Sequence, residues 1–193
     1  MLTPEQVAAD FKKVWEGGLS VDPNDRGNWV GRTLVGSKYG VPAQALADYR
    51  KVPVASITAK QMAALTFEEA GKIALANYYY GTGIDRLPWS AVTAMVFDFA
   101  YNAGVKRAVI TLQRALGVSD DGVIGPKTRA RMVARLADPG GATALARAFT
   151  AERIAFYEYI GRPGTANALY LKGWKNRANY FLPGGAWWKR FHA

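Results

Sequence analysis

The sequence predicts a mainly α chain with one irregular, turn-rich stretch near its start. Three observations carry that prediction. Apolar residues recur at spacings of three and four along most of the chain, the period of a helix with one buried face. Helix-start and helix-stop residues bracket those stretches. Alternation of apolar and polar residues, the mark of a half-buried strand, is confined to the neighbourhood of residues 29–36.

Taken in order, Thr3 can cap a first helix, with Pro4 at its first position and Gln6 placed to close a capping box. Val7, Phe11 and Val14 form its apolar stripe, widened by Ala8 and Trp15, and Gly17-Gly18 stops it. Residues 19–40 are punctuated by Pro23, Gly27, Gly31, Gly36 and Gly40, which predicts a loop with a short hairpin. A short helix fits Pro42 to Arg50. Thr66 with Glu69 opens another that runs to about Tyr80. Ser90, or the Pro88-Trp89 pair, starts a helix striped by Val92, Met95, Val96 and Phe99 and closed by Gly104. Val105, Ala108, Val109, Leu112 and Leu116 make the next, closed by Gly117. Gly125-Pro126 opens a helix through Leu136, and residues 142–160 a longer one ending at Gly161. The remainder is aromatic and basic, with no clear period. A soft seam at 81–90 divides the chain into an expected 1–88 lobe and 89–193 lobe.

Composition narrows the chemistry. The 193 residues contain no cysteine, which excludes disulfides, thiolate metal sites and cysteine nucleophiles. The single histidine, His192, makes a Ser-His-Asp triad or a multi-histidine metal site improbable. Acid–base work would therefore fall to carboxylates. The net charge of +10 points to a polyanionic partner: nucleic acid, an anionic membrane surface or bacterial cell wall. No apolar run is long enough to span a bilayer, and the first residues do not resemble a signal peptide.

The sharpest local feature is VWEGGLSVDPNDRGNW, residues 14–29. Glu16 ends an amphipathic helix directly before two glycines. The negative end of the helix dipole and desolvation beside Trp15 both favour a protonated carboxyl there. That is the form a glycosidase needs in order to protonate its leaving oxygen. The adjoining glycines would let a polymer approach the backbone closely. Asp22 and Asp25, in a polar loop, suit an ionised base or a stabiliser of developing positive charge. The plain alternatives are an ordinary helix-end glutamate and a turn whose aspartates bond their own backbone.

These residues resemble a known family. Trp15-Glu16-Gly17-Gly18, Asp22-Pro23-Asn24-Asp25-Arg26-Gly27-Asn28-Trp29 and Ser37-Lys38-Tyr39-Gly40-Val41 are similar to the N-terminal signature of glycoside hydrolase family 108, the phage-type lysozymes or N-acetylmuramidases. The resemblance implies a lysozyme-like helical domain with a loop or small hairpin near the active site. It puts the catalytic acid on Glu16 and the family's aspartates on Asp22 and Asp25. The stretch is longer here than in the family pattern, and Ser37 stands where a threonine is usual, keeping a hydroxyl that can orient water. Residues 96–104 and the string L-Q-R-A-L-G-V-S-D-D-G-V-I-G-P-K-T at 112–128 resemble the peptidoglycan-binding region that follows in this family. Read physically, that string is also a helix–loop–helix clamp, with tight turns at Asp121-Gly122 and Gly125-Pro126.

Asp98 and Asn102 lie at i and i+4 off the apolar stripe, with Tyr101 beside them. They can line a sugar cleft or form a buried network joining helices. With Trp29 and Tyr39 they make up the substrate-binding candidates. The tail, residues 169–193, interleaves aromatics with Lys172, Lys175, Arg177, Lys189 and Arg190. It reads as a docked final segment, as a patch for an anionic wall polymer or membrane, or as a nucleic-acid surface, the last without a supporting motif.

Taken together, the reading is a monomeric lysozyme or endolysin. It hydrolyses the β-1,4 bond between N-acetylmuramic acid and N-acetylglucosamine, with peptidoglycan as partner, no cofactor, no metal and no nucleic acid. The bond and the substrate class are implied by the resemblance. Such an enzyme would be made in the cytoplasm and act on the wall after release, or as part of a phage-like particle. The alternative is a non-catalytic wall-binding or phage structural protein on the same fold.

Overall fold

The computed structural model describes Met1–Ala193. It is mainly helical and divides into two compact units, one of Thr3–Thr82 and one of Met1–Leu2 with Gly83–Ala193. No helix is long and apolar enough to cross a membrane.

In the Thr3–Thr82 unit, α1 (Pro4–Trp15) begins at the expected capping box. The Gln6 N–H donates to Thr3 Oγ1 at 3.3 Å, and the Thr3 N–H donates to Gln6 Oε1 at 2.9 Å. Its buried face is Val7, Ala8, Phe11 and Lys12. Val14, assigned to the stripe from sequence, is instead 45% exposed, because Lys12 occupies the inward position. The loop folds as two minimal antiparallel ribbons: β1 (Leu19–Ser20) pairs with β4 (Ser37–Lys38), and β2 (Trp29–Val30) with β3 (Thr33–Leu34). Gly36, at φ +84°, lies so close to β1 that a Cβ there would sit 2.7 Å from the Ser20 carbonyl oxygen. Only glycine fits that approach.

Helices α2 (Ala43–Arg50) and α1 pack on α4 (Phe67–Tyr78), with Leu46, Met62 and Ile73 in the core. Thr66 caps α4 by accepting from the Glu69 N–H at 3.1 Å. The Glu69 side chain does not close the box; it pairs with Arg50 at 2.7 Å. One helix escaped the sequence reading, α3 (Ala59–Ala64), although Thr58 and Gln61 form a complete capping box ahead of it.

The other unit is built around α5 (Ala91–Ala103), in which every residue from Ala91 to Tyr101 is buried. Around it lie α6 (Val105–Leu116), α7 (Pro126–Ala137), α8 (Gly141–Ile160), α9 (Leu171–Tyr180) and α10 (Ala186–His192). Phe99 receives edge contacts from Phe149, Phe156 and Tyr157. The tail, expected to lack a period, folds as α9 and α10. Trp187 and Phe191 are buried, and α10 packs on α5, which agrees with the docked-segment alternative. Leu2 joins this unit, with its N–H donating to the Phe191 carbonyl and its own carbonyl accepting from Trp89 Nε1.

The 112–128 string forms a clamp. Gln113, 1% exposed, accepts the Gly122 N–H on Oε1 at 2.8 Å. Its Nε2 lies 2.7 Å from Asp121 Oδ1 and 2.9 Å from the Val123 carbonyl. The Gln113 hydrogen bond, followed by the Val123 amide, holds the Asp121 carboxyl below its usual pKa. The buried glutamine thus supplies, from one side chain, hydrogen bonds to backbone groups that the tight turn leaves without partners of its own.

Candidate active site

Glu16 is the C-cap residue of α1. Its backbone turns extended (φ −105°, ψ 129°) while its N–H still donates to the Lys12 carbonyl at 3.0 Å. The side chain is half-buried, and a Cβ built on Gly17 or Gly18 would meet nothing within 4 Å. The helix therefore ends by presenting a carboxylate beside two residues of bare, open backbone.

The β1–β4 ribbon brings distant residues to that end. Ser37 pairs with Ser20, Lys38 with Leu19, and the Tyr39 N–H donates to the Gly17 carbonyl at 3.1 Å. Tyr39 thus lies alongside the glycines that follow Glu16. Its φ of +53° is a left-handed conformation that L-residues seldom adopt, held here by the ribbon and by Gly40 at φ +74°. Its ring meets Phe67 edge-on at 5.4 Å. The Lys38 ammonium donates to the Ala63 carbonyl at 2.6 Å, tying the ribbon to the end of α3.

Asp22 and Asp25 cap turns in the exposed loop. Asp22 Oδ1 accepts from the Asn24 N–H at 2.9 Å and from Asn24 Nδ2 at 3.0 Å. Asp25 Oδ1 accepts from the Gly27 N–H at 2.8 Å. One oxygen of each carboxylate therefore does the turn work that the plain reading of the sequence anticipated. Asn28, which sequence reasoning did not single out, organises the loop. It is fully buried, and its Nδ2 reaches the Asp22 carbonyl (3.0 Å) and Ser20 Oγ (3.3 Å). Its backbone carbonyl takes the N–H groups of Val35 and Gly36. Trp29 is pinned by its Nε1 donating to the Pro23 carbonyl at 3.0 Å and keeps 37% of its surface exposed.

Two further groups feel the charge of Glu16. Lys12, one helical turn earlier, is 1% exposed, with Nζ donating to the Phe67 carbonyl at 3.0 Å and lying 4.4 Å from the Phe67 ring centroid. Burial pushes its pKa down to about 8, against a partial upward pull from Glu16. At Tyr78, the last residue of α4, burial raises the phenol pKa, and the negative charges of Asp48 and Glu16 add to the rise. The sequence signal for Lys12 was its place at i+4 from Ala8, on the inward stripe.

The remaining candidates lie in the other unit. Asp98 is fully buried and held by Arg153 Nη2 at 2.8 Å and Arg177 Nη2 at 2.8 Å. Its charge is spent on two guanidiniums, so the sugar-lining role expected of it gives way to the buried-network alternative. Asn102 Oδ1 accepts the Tyr157 hydroxyl, and that hydroxyl in turn accepts from Arg153 Nε at 2.9 Å. Tyr101 is 7% exposed. Asp98 and Asn102 both tie α5 to α8, and Asp98 ties it to α9 as well. Among the residues of the chain, no cluster of three or more His, Cys, Asp or Glu is arranged to hold a metal ion.

Residues 11–104 match the family model described as glycosyl hydrolase 108, and residues 107–179 match the one described as "Predicted Peptidoglycan domain". Among solved structures, SagA of Brucella abortus is similar at 27% identity and a TM-score of 0.68, over 91% of this chain and 86% of that one. None of the curated proteins matches the chain.

Proposed function

We propose, for a chain whose residues 11–104 belong to the glycosyl hydrolase 108 family and whose residues 107–179 form a peptidoglycan domain, that Glu16 is the general acid of a lysozyme. The bond it cleaves joins N-acetylmuramic acid to N-acetylglucosamine by a β-1,4 link. Peptidoglycan as the substrate and glycoside hydrolysis as the reaction class follow from the family; the bond and the acid are this reading's own.

The observation that carries it is the end of α1: a half-buried carboxylate at a helix C-cap, next to two glycines with open space, with Tyr39 fixed against Gly17. A glycan strand can lie over that bare backbone with a sugar face on Tyr39 or Trp29. Glu16 gives its proton to the glycosidic oxygen as the C1–O bond breaks. Water, oriented by the Ser37 hydroxyl, adds to C1 and passes its proton to a loop aspartate, Asp25 before Asp22. Both aspartates sit on short turns that fix their direction, which suits an electrostatic partner as much as a base.

Glu16→Gln tests the reading. The variant should fold, bind sacculi and lose roughly 10²–10⁴-fold in lysis, the range supplied by a general acid. Mass spectrometry of digests made by the unsubstituted chain should show muramic reducing ends. Lysis that survives the substitution removes Glu16 from the role. A chain that binds sacculi without cleaving them is the non-catalytic wall-binding protein.

A further inference from the structure

The face between α6 and α8 carries a groove of about 410 Å³ that shares Arg107 and Phe156 with a neighbouring recess of about 650 Å³ at the start of α6. Its composition is unusual for a surface cleft. Phe156 and Tyr159, three residues apart on α8, form an aromatic strip, and each carries a guanidinium. Arg107 lies 4.6 Å from the Phe156 ring centroid and Arg162 lies 4.9 Å from that of Tyr159. Tyr159 is 68% exposed, although its ring is large and apolar. Arg114, also on the wall, is balanced by Asp120 at 2.7 Å, whereas Arg107 makes no ion pair and leaves its cation for a ligand. Glu152 supplies one negative charge to the same wall.

We infer that this groove binds the stem peptide of peptidoglycan. That peptide is short, rich in methyl side chains, and carries several carboxylates and, in the common cross-linkable forms, one free ammonium. Methyl groups suit the Phe156–Tyr159 strip. Carboxylates suit a planar guanidinium already stacked and so already oriented. The ammonium suits Glu152. A bare glycan strand offers one lactyl carboxylate on each muramic acid and no ammonium, so it meets the groove at fewer points than the peptide does. The inference rests on peptidoglycan as the substrate of this chain and adds a second point of attachment on residues 107–179.

The test is calorimetric titration of the full chain with the disaccharide–tetrapeptide of peptidoglycan and with the same disaccharide lacking its peptide. The peptide-bearing ligand should bind at least about tenfold more tightly, the worth of one charge-assisted pair. Arg107→Ala and Tyr159→Ala should each erase that preference, and Arg107→Lys should keep part of it. Equal affinity of the unsubstituted chain for the two ligands overturns the inference without need of any variant. So does a preference that survives both alanine variants, or one abolished equally by DNA as competitor. Lysis of sacculi by the unsubstituted chain is measured alongside. Lysis without the peptide preference removes the groove and leaves the hydrolase; the preference without lysis keeps the groove and removes the hydrolase.

Discussion

Lys12→Met should make the Thr3–Thr82 unit more stable at neutral pH and abolish a rise in stability on the alkaline side. The lysine is 1% exposed, and its ammonium has one hydrogen bond, to the Phe67 carbonyl, and one ring face. Burial lowers its pKa from 10.5 to about 8. The native state therefore binds fewer protons than the unfolded chain between those values, so stability rises with pH across that window. Below pH 8 both states are protonated and the full cost of the buried cation is present. The shift corresponds to roughly 3 kcal/mol at about 1.4 kcal/mol per pH unit. Lys12 also borders an open groove between α1 and α4, about 340 Å³ in volume, through which solvent screens the charge, so about 2 kcal/mol is the better figure. Methionine fills the same space, and Phe67 sits in the first turn of α4, where its carbonyl keeps a helical partner. Losing the lysine's own bond costs about 1 kcal/mol, so the variant gains about 1 kcal/mol at pH 7. Urea melts of the two proteins at pH 7, 8, 9 and 10.5 measure this. Their free-energy difference should shrink from pH 8 upward and vanish or change sign by 10.5. Parallel curves would refute the burial argument.

Asp98→Ala should destabilise the Gly83–Ala193 unit by about 3–5 kcal/mol in the same assay, because it leaves Arg153 and Arg177 buried without a counter-charge. Asp25→Asn keeps an acceptor for the Gly27 amide and should leave the melting temperature unchanged while lysis falls at least about tenfold; unchanged lysis assigns Asp25 to the turn alone. With a net charge of +10, clearing of whole cells should drop steeply as ionic strength rises through about 0.1 M, where screening sets in at about 10 Å. Cleavage of a short soluble glycan should change little over the same range.

Much of the helix order is legible because its signals are local. The Thr3–Gln6 box, Ser90, Gly104, Gly117 and Gly125-Pro126 each mark an end within a few residues of the helix they serve. Helices α9 and α10 are not legible, since their faces are set from afar: Arg177 answers Asp98, and Trp187 and Phe191 bury against other parts of the unit. The site divides the same way. Glu16 and its glycines stand out in the sequence. Tyr39 reaches Gly17 only through two-residue strands, too short to leave a period, and Asn28 acts through backbone groups that carry no sequence mark. Asp98 misled for the opposite reason. A polar residue off the apolar stripe suggests an open face, but α5 is surrounded, so that face is interior as well.

Gly36 places a hidden demand on the chemistry. The absent side chain at that position is what lets the two halves of the ribbon close, and the closed ribbon is what carries the Tyr39 backbone to the residue after Glu16. Even an alanine would have to prise Ser20 away from its partner. The end of α1 would then be rearranged by a wedge twenty positions downstream of Glu16, with every candidate side chain still in place in the sequence.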